Sequence, residues 1–123
     1  INYVKRVKDK EEIKELKDSD ILTESNNVLL KLDHKDFNIL LDINGDQMDS
    51  KEFSYLINNT FNFNSNITFI IGGSSGVSEE IKKIVNKKIS FSKMTFPHGF
   101  FRGILLEQIY RSFKIINNEA YHK

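Results

Sequence analysis

Residues 67–76 read ITFIIGGSSG, five β-branched or aromatic residues in succession that stop at a pair of glycines, with a third glycine at position 76. An uninterrupted run of this kind, closed by a turn signal, predicts a buried strand over Ile67 to Ile71. Gly72, Gly73 and Gly76 let the backbone turn, or approach a ligand where a Cβ would collide. Open α/β sheets bind small molecules at such a turn, at the carboxyl end of a strand. A plain tight turn is the other reading, because GG-x-x-G alone is unspecific.

Upstream, Phe37 to Ile43 (FNILLDI) is a second near-continuous apolar run, closed by Asn44-Gly45-Asp46. It predicts a central strand buried on both faces, with Asp42 at its carboxyl end. Asp49 and Glu52 have capping-box spacing, and Phe53, Leu56 and Ile57 give the following helix its buried face. Asn58 to Asn66 is rich in asparagine and predicts a loop. Further back, Thr23 can cap a helix with an apolar stripe of Val28, Leu29 and Leu32. Residues 1–20 are dense in charge, with Val4, Val7, Ile13 and Leu16 spaced as on an amphipathic, mostly solvated helix.

Downstream, Ser78 caps a helix whose positive end is matched by Glu79 and Glu80 and whose negative end is matched by Lys87 and Lys88. Val77, Ile81, Ile84 and Val85 are its expected core face. Ile89 and Phe91 alternate with serines as a short third strand. A last helix is expected from near Pro97 to about Asn117, since proline suits a first turn and Asn-Asn a helix end. Its apolar stripe is Phe101, Leu105, Ile109, Phe113 and Ile116, widened by Phe100, Ile104 and Leu106. Alternating strands and helices imply an α/β fold with a parallel sheet and right-handed crossovers. A terminal helix this apolar suggests a partner subunit.

The chain of 123 residues fits one domain and has no cysteine, so neither a disulfide framework nor thiolate chemistry is available. Neither a signal peptide nor an apolar run of spanning length appears, so a soluble protein with no membrane partner is expected, and the lack of cysteine suits a reducing cytoplasm. The net charge of +1 is no bulk nucleic-acid signature. Its distribution is uneven, however: residues 71–123 hold nine Lys/Arg against four Asp/Glu, while residues 1–36 hold eight against nine. The basic excess accompanies the glycine turn and the last helix.

His34, His98 and His122 share no ligand spacing, so no metal is expected. Asp42, Ser90, Ser92 and His98 include the residue types of a catalytic triad without a nucleophile-elbow pattern. The glycine turn has neither the Lys-Ser/Thr ending of a P-loop nor a full GxGxxG. Arg102, Arg111, Lys114, Tyr121, His122 and Lys123 combine phosphate-pairing cations with rings on which an unpaired base can stack. The plainer reading is an i, i+4 pair between Glu107 and Arg111 and a frayed carboxyl end.

FIIGGSSGVSEE (residues 69–80) and SFSKMTFPHGFFRGILLEQIYRSFKIINNEAYHK (residues 90–123) together resemble the bacterial RlmH family, ribosomal RNA large-subunit methyltransferase H. The shared marks are GG-x-x-G, the S-x-SKMTFPH block, R-x-x-L-x-EQ-x-YR and an ending in YHK. The resemblance implies one SPOUT-type α/β domain over residues 1–123, with a parallel sheet flanked by helices and a carboxyl-terminal trefoil knot, a rare exception to unthreaded chains. It implies an obligate homodimer that binds S-adenosylmethionine and methylates N3 of a pseudouridine in the helix 69 loop of 23S rRNA, on the assembled 70S ribosome. Carried over by position, the cofactor is expected at Leu41, Gly73 and the segment Ser92, Lys93, Met94, Thr95, Phe96 and Pro97. The RNA side is expected at Arg102, Arg111, Tyr121, His122 and Lys123. His122 is a candidate catalytic base, with water or a ribosomal group as alternatives. The amino end departs from the family, which opens with a strand carrying a Gly-Lys turn; here an amino-terminal strand is expected to be missing or truncated. A non-catalytic RNA-binding module that keeps the fold is the competing reading, against which the intact Gly72-Gly73 and Ser92 to Pro97 segments speak.

Overall fold

The computed structural model describes residues 2–7, 10–15, 35–64, 66–71 and 77–118. In chain order these form β1 (Asn2–Val7), β2 (Lys10–Glu15), β3 (Phe37–Gln47), α1 (Ser50–Phe61), β4 (Asn66–Ile71), α2 (Glu79–Ile84), β5 (Lys87–Ser90) and α3 (His98–Ile116). They build one five-stranded sheet in the order β2-β1-β4-β3-β5. β3 lies at the centre of the parallel part, paired with β4 on one side and β5 on the other.

The apolar runs behave as their lack of alternation requires. Ile39, Ile67, Phe69, Ile71 and Ile89 join Phe53, Ile57, Leu105 and Ile109 in one buried cluster, so α1 and α3 cover that face. Leu40 and Ile70, which strand alternation places on the opposite face, are also fully buried. A strand covered on both sides is apolar at most positions, hence FNILLDI and ITFII, with Asn38 and Thr68 as buried polar exceptions.

The amino end corrects the sequence reading. Residues 2–7 and 10–15 are strands, not a solvated helix, and β1 runs antiparallel to both β2 and β4. The outer edge of β4 would otherwise present unpaired backbone groups along a buried apolar strand. Pairing that edge outweighs a loose helical spacing, since strand preference is set mainly by what the strand meets. The register also sets Lys5 opposite Glu12, Arg6 opposite Glu11 and Val4 opposite Ile13. The helix expected from Thr23 and the glycine turn at 72–76 lie outside the described residues.

Three further boundaries differ. α1 continues to Phe61 through the expected loop, because Thr60 is buried and bonds to the Leu56 carbonyl, and Phe61 packs 6.2 Å from the Phe113 ring of α3. α2 ends at Ile84, so Lys87 and Lys88 belong to β5 rather than to a helix end. The cause is a reciprocal clamp. Asn86 N–H donates to the Asn38 carbonyl at 2.8 Å, while Asn38 N–H donates to Asn86 Oδ1 at 2.7 Å, docking the chain on β3. Ile84, placed on the core face by its spacing, is 36% exposed instead.

The third difference shapes the site. β3 does not close at Asn44-Gly45 but runs on to Gln47, and Ile89 of β5 is paired with both Leu41 and Asp46. Residues 42–45 are therefore extra on the β3 side, a bulge that arches over β5. Asp42 Oδ1 steadies it by accepting from Asn44 N–H at 3.2 Å. Gly45 sits where an added Cβ would stand 2.7 Å from the Ile89 backbone, so this glycine is required by close approach.

The capping box is as expected: Glu52 N–H donates to Asp49 Oδ1 at 2.8 Å, and Asp49 N–H donates to Glu52 Oε1 at 3.0 Å. Asp49→Ala should cost about 1 kcal/mol, seen as a few degrees in thermal unfolding, and Asp49→Asn should restore most of it. α3 ends as its Asn-Asn predicts, with Asn118 in the left-handed conformation (φ 56°) and its N–H bonded to the Ile115 carbonyl at 3.1 Å.

Candidate functional site

The carboxyl ends of the three parallel strands open into a cleft of about 410 Å³. β3 contributes Leu41 and then the bulge residues Asp42 and Ile43; β4 contributes Ile71; β5 contributes Ile89 and Ser90. Phe91, Ser92, Met94 and Thr95 form the wall after β5, and Val77, Lys82 and Phe101 complete it from the α2 region and α3. This is the crevice where a parallel sheet places small ligands, in the size range of sites that enclose them.

The wall after β5 is ordered by its own serines. Ser90 Oγ donates to the Ser92 carbonyl at 2.9 Å, and Ser92 Oγ accepts from Met94 N–H at 3.0 Å. Phe91 meets Phe53 edge-on at 5.6 Å, tying the wall to the core. Below it Phe96 packs against Phe100 and Phe101 at 5.7 and 5.4 Å, which fixes the start of α3.

Of the residues expected at the cofactor, Leu41, Ser92, Met94 and Thr95 are brought together on the cleft wall although about fifty residues separate the first from the rest. Lys93, Phe96 and Pro97 do not line it; Phe96 supports it from behind and Pro97 caps α3. Gly73 lies outside the described residues. Asp42, Val77, Lys82 and Phe101 were not singled out as ligand-facing by their sequence. The position of Asp42 at a strand end is a usable signal, whereas nothing local in the sequence marks Lys82.

On the RNA side, Tyr121, His122 and Lys123 lie outside the described residues. Arg102 follows the cleft residue Phe101, while Arg111 is held by Glu107, with Nη2 and Nε 2.7 and 2.9 Å from Oε1. Nine residues of helix separate the two arginines by about 14 Å and half a turn, so they face different surroundings. Lys114 lies over the half-exposed Tyr110 ring, 5.2 Å from its centre. Among the described residues no group of acidic, histidine or cysteine side chains could hold a metal, and no helix is long and apolar enough to cross a membrane.

The cleft fits the cofactor that the sequence resemblance implies. An adenosine joined through a sulfonium to an amino-acid chain needs apolar walls for its ring and chain and a few polar groups for its ends. Leu41, Ile71, Ile89 and Phe91 supply the first; Asp42, Ser90, Ser92, Thr95 and Lys82 supply the second.

The family described as "Predicted SPOUT methyltransferase" matches residues 1–122. Ribosomal RNA large subunit methyltransferase H of Malacoplasma penetrans (strain HF-2) is 56% identical over 87 residues, which cover 71% of this chain and 55% of that protein. The protein of the same name from Clostridium botulinum (strain Langeland) is 49% identical over 111 residues, covering 88% of this chain and 70% of the relative. Putative ribosomal RNA large subunit methyltransferase H 2 of Clostridium perfringens (strain SM101) is 57% identical over 84 residues, its whole length and 68% of this chain. The chain thus spans about half the length of the Malacoplasma relative and more of the others. With the family model matched over residues 1–122 and relatives about half identical over most of the chain, the chain belongs to the SPOUT methyltransferases, in the RlmH family.

Proposed function

We propose that the protein is an S-adenosylmethionine-dependent ribosomal RNA methyltransferase that modifies N3 of a pseudouridine in the helix 69 loop of 23S rRNA, in the cytoplasm and on the assembled 70S ribosome. The observation that carries this reading is the cleft at the carboxyl ends of β3, β4 and β5, where Leu41, Ser92, Met94 and Thr95 meet. A carboxyl-terminal trefoil knot and a homodimer belong to the same proposal. The 57% exposed Phe100 and the half-exposed Tyr110 on α3 suit a helix that a second copy covers.

The bound cofactor supplies an activated methyl group. The chain's own task is then alignment and proton removal. Leu41, Ile89 and Phe91 would enclose its ring, and the backbone of residues 90–94, held in place by the two serine hydrogen bonds, would read the ring's edge. N3 of pseudouridine carries an imide proton and becomes a good nucleophile only as that proton leaves. Arg102, Arg111, Tyr121 and Lys123 hold the RNA loop in place, and His122 is this chain's candidate for the acceptor of that proton. Holding methyl and nitrogen in line supplies the rest of the acceleration.

Deleting Tyr121, His122 and Lys123 separates the two halves of the site. Stacking of a base on an aromatic ring contributes roughly 1–3 kcal/mol, so RNA engagement should weaken about five- to a hundredfold. Ribosome methylation should fall accordingly, while calorimetric affinity for S-adenosylmethionine and the mass in sedimentation stay unchanged. Cofactor affinity falling in parallel would place the tail in the cofactor pocket instead.

A further inference from the structure

Lys82 and Asp42 are the only charged side chains among the described residues that line the cleft. They arrive there independently, Asp42 on the β3 bulge and Lys82 from α2. Lys82 Nζ lies 3.4 Å from Glu79 Oε1, but Glu79 is 79% exposed at its side chain whereas Lys82 is 30% exposed. A solvated pair of that length contributes little and holds neither side chain firmly. A long cation more than half withdrawn from water at the wall of an apolar cleft is better placed to meet an anionic end of whatever fills it.

The second charge narrows the class of ligand. A carboxylate in the same cleft disfavours a polyanion such as a phosphorylated nucleotide, because like charges in a partly desolvated space repel. It favours a ligand carrying one negative and one positive group. We propose, building on the cofactor reading above, that Lys82 selects the amino-acid end of the ligand by pairing with its α-carboxylate. Lys82 is thereby the residue that makes the cleft prefer an adenosyl amino acid over a bare adenosine thioether.

Isothermal titration of the protein with S-adenosylhomocysteine, 5′-methylthioadenosine and adenosine 5′-monophosphate tests this directly. The first two share ring, ribose and thioether and differ in the amino-acid end. The wild-type chain should prefer S-adenosylhomocysteine over 5′-methylthioadenosine, and Lys82→Met should reduce that preference about tenfold through the first ligand alone. Lys82→Arg should keep most of it, and far-UV circular dichroism checks that all three proteins share one fold. An unchanged preference in folded Lys82→Met overturns the proposal, as does adenosine 5′-monophosphate binding as tightly as S-adenosylhomocysteine. If the wild-type chain binds neither adenosine thioether, the cofactor reading itself fails, which is a different outcome from a preference that ignores Lys82.

Discussion

Gly45→Ala should lower the unfolding temperature by roughly 10 °C, corresponding to a loss of about 3 kcal/mol. A Cβ at position 45 would stand 2.7 Å from the Ile89 nitrogen and carbonyl carbon and from the Lys88 carbonyl carbon. All three are backbone atoms of β5, so no flexible side chain can swing away. Ile89 is also held by the ladder to β3 and fully buried, which leaves lifting of the bulge as the available relief. Because Asp42 and Ile43 on that bulge line the cleft, cofactor affinity should fall together with stability. Since the clash arises at the Cβ itself, Gly45→Val should be little worse than Gly45→Ala. A loss that is negligible for alanine and large only for valine would show that the bulge has room, and would contradict this account.

Phe53→Ala should cost more, about 3–5 kcal/mol, measured as a lower midpoint in urea with the slope of the transition unchanged. Phe53 is 1% exposed and lies between Phe69 of β4 and Phe91, with ring centres 5.9 and 5.6 Å away. Removing it leaves a cavity between α1 and the sheet and takes the edge-on partner from Phe91, a wall of the cleft. Cofactor affinity should therefore weaken at temperatures where the variant is still folded. Phe53→Leu, which keeps most of the volume, should recover both properties in part. Lost stability with full cofactor affinity would mean that the Phe91 wall is held by its own loop hydrogen bonds alone.

What the sequence made legible was what short stretches decide for themselves. Asp49 and Glu52 start α1 and Ser78 starts α2 because each side chain satisfies backbone groups a few residues away, while Pro97 and the Asn117-Asn118 pair bound α3 through their own backbone preferences. The apolar runs at Phe37 and Ile67 announced strands with two covered faces. Leu41 and the Ser92 to Pro97 segment, of which Ser92, Met94 and Thr95 line the cleft, could be named together only through a whole-motif resemblance, since no local rule links positions fifty residues apart.

The misreadings have the opposite character. Residues 2–7 and 10–15 carry charges and apolar residues at spacings compatible with a helix, and the open edge of β4 makes them strands. Asn44-Gly45 looks the same whether it ends a strand or arches over one; the difference is the Ile89 backbone, forty-four residues on. Lys87 and Lys88 suit a helix end, yet Asn86 clamps that segment to Asn38. Lys82 is indistinguishable in sequence from its neighbour Lys83, and only the fold turns one toward the cleft and leaves the other exposed.

Mass spectrometry of 23S rRNA from cells carrying and lacking this gene, with ribosomes from the deletion strain then treated with purified protein and S-adenosylmethionine, tests the central claim most directly. The helix 69 loop fragment should lack one methyl group on pseudouridine N3 in the deletion strain and regain it on treatment. An identical fragment mass in both strains, with the purified protein binding ribosomes but transferring nothing, would contradict the account and leave an RNA-binding module built on a methyltransferase fold.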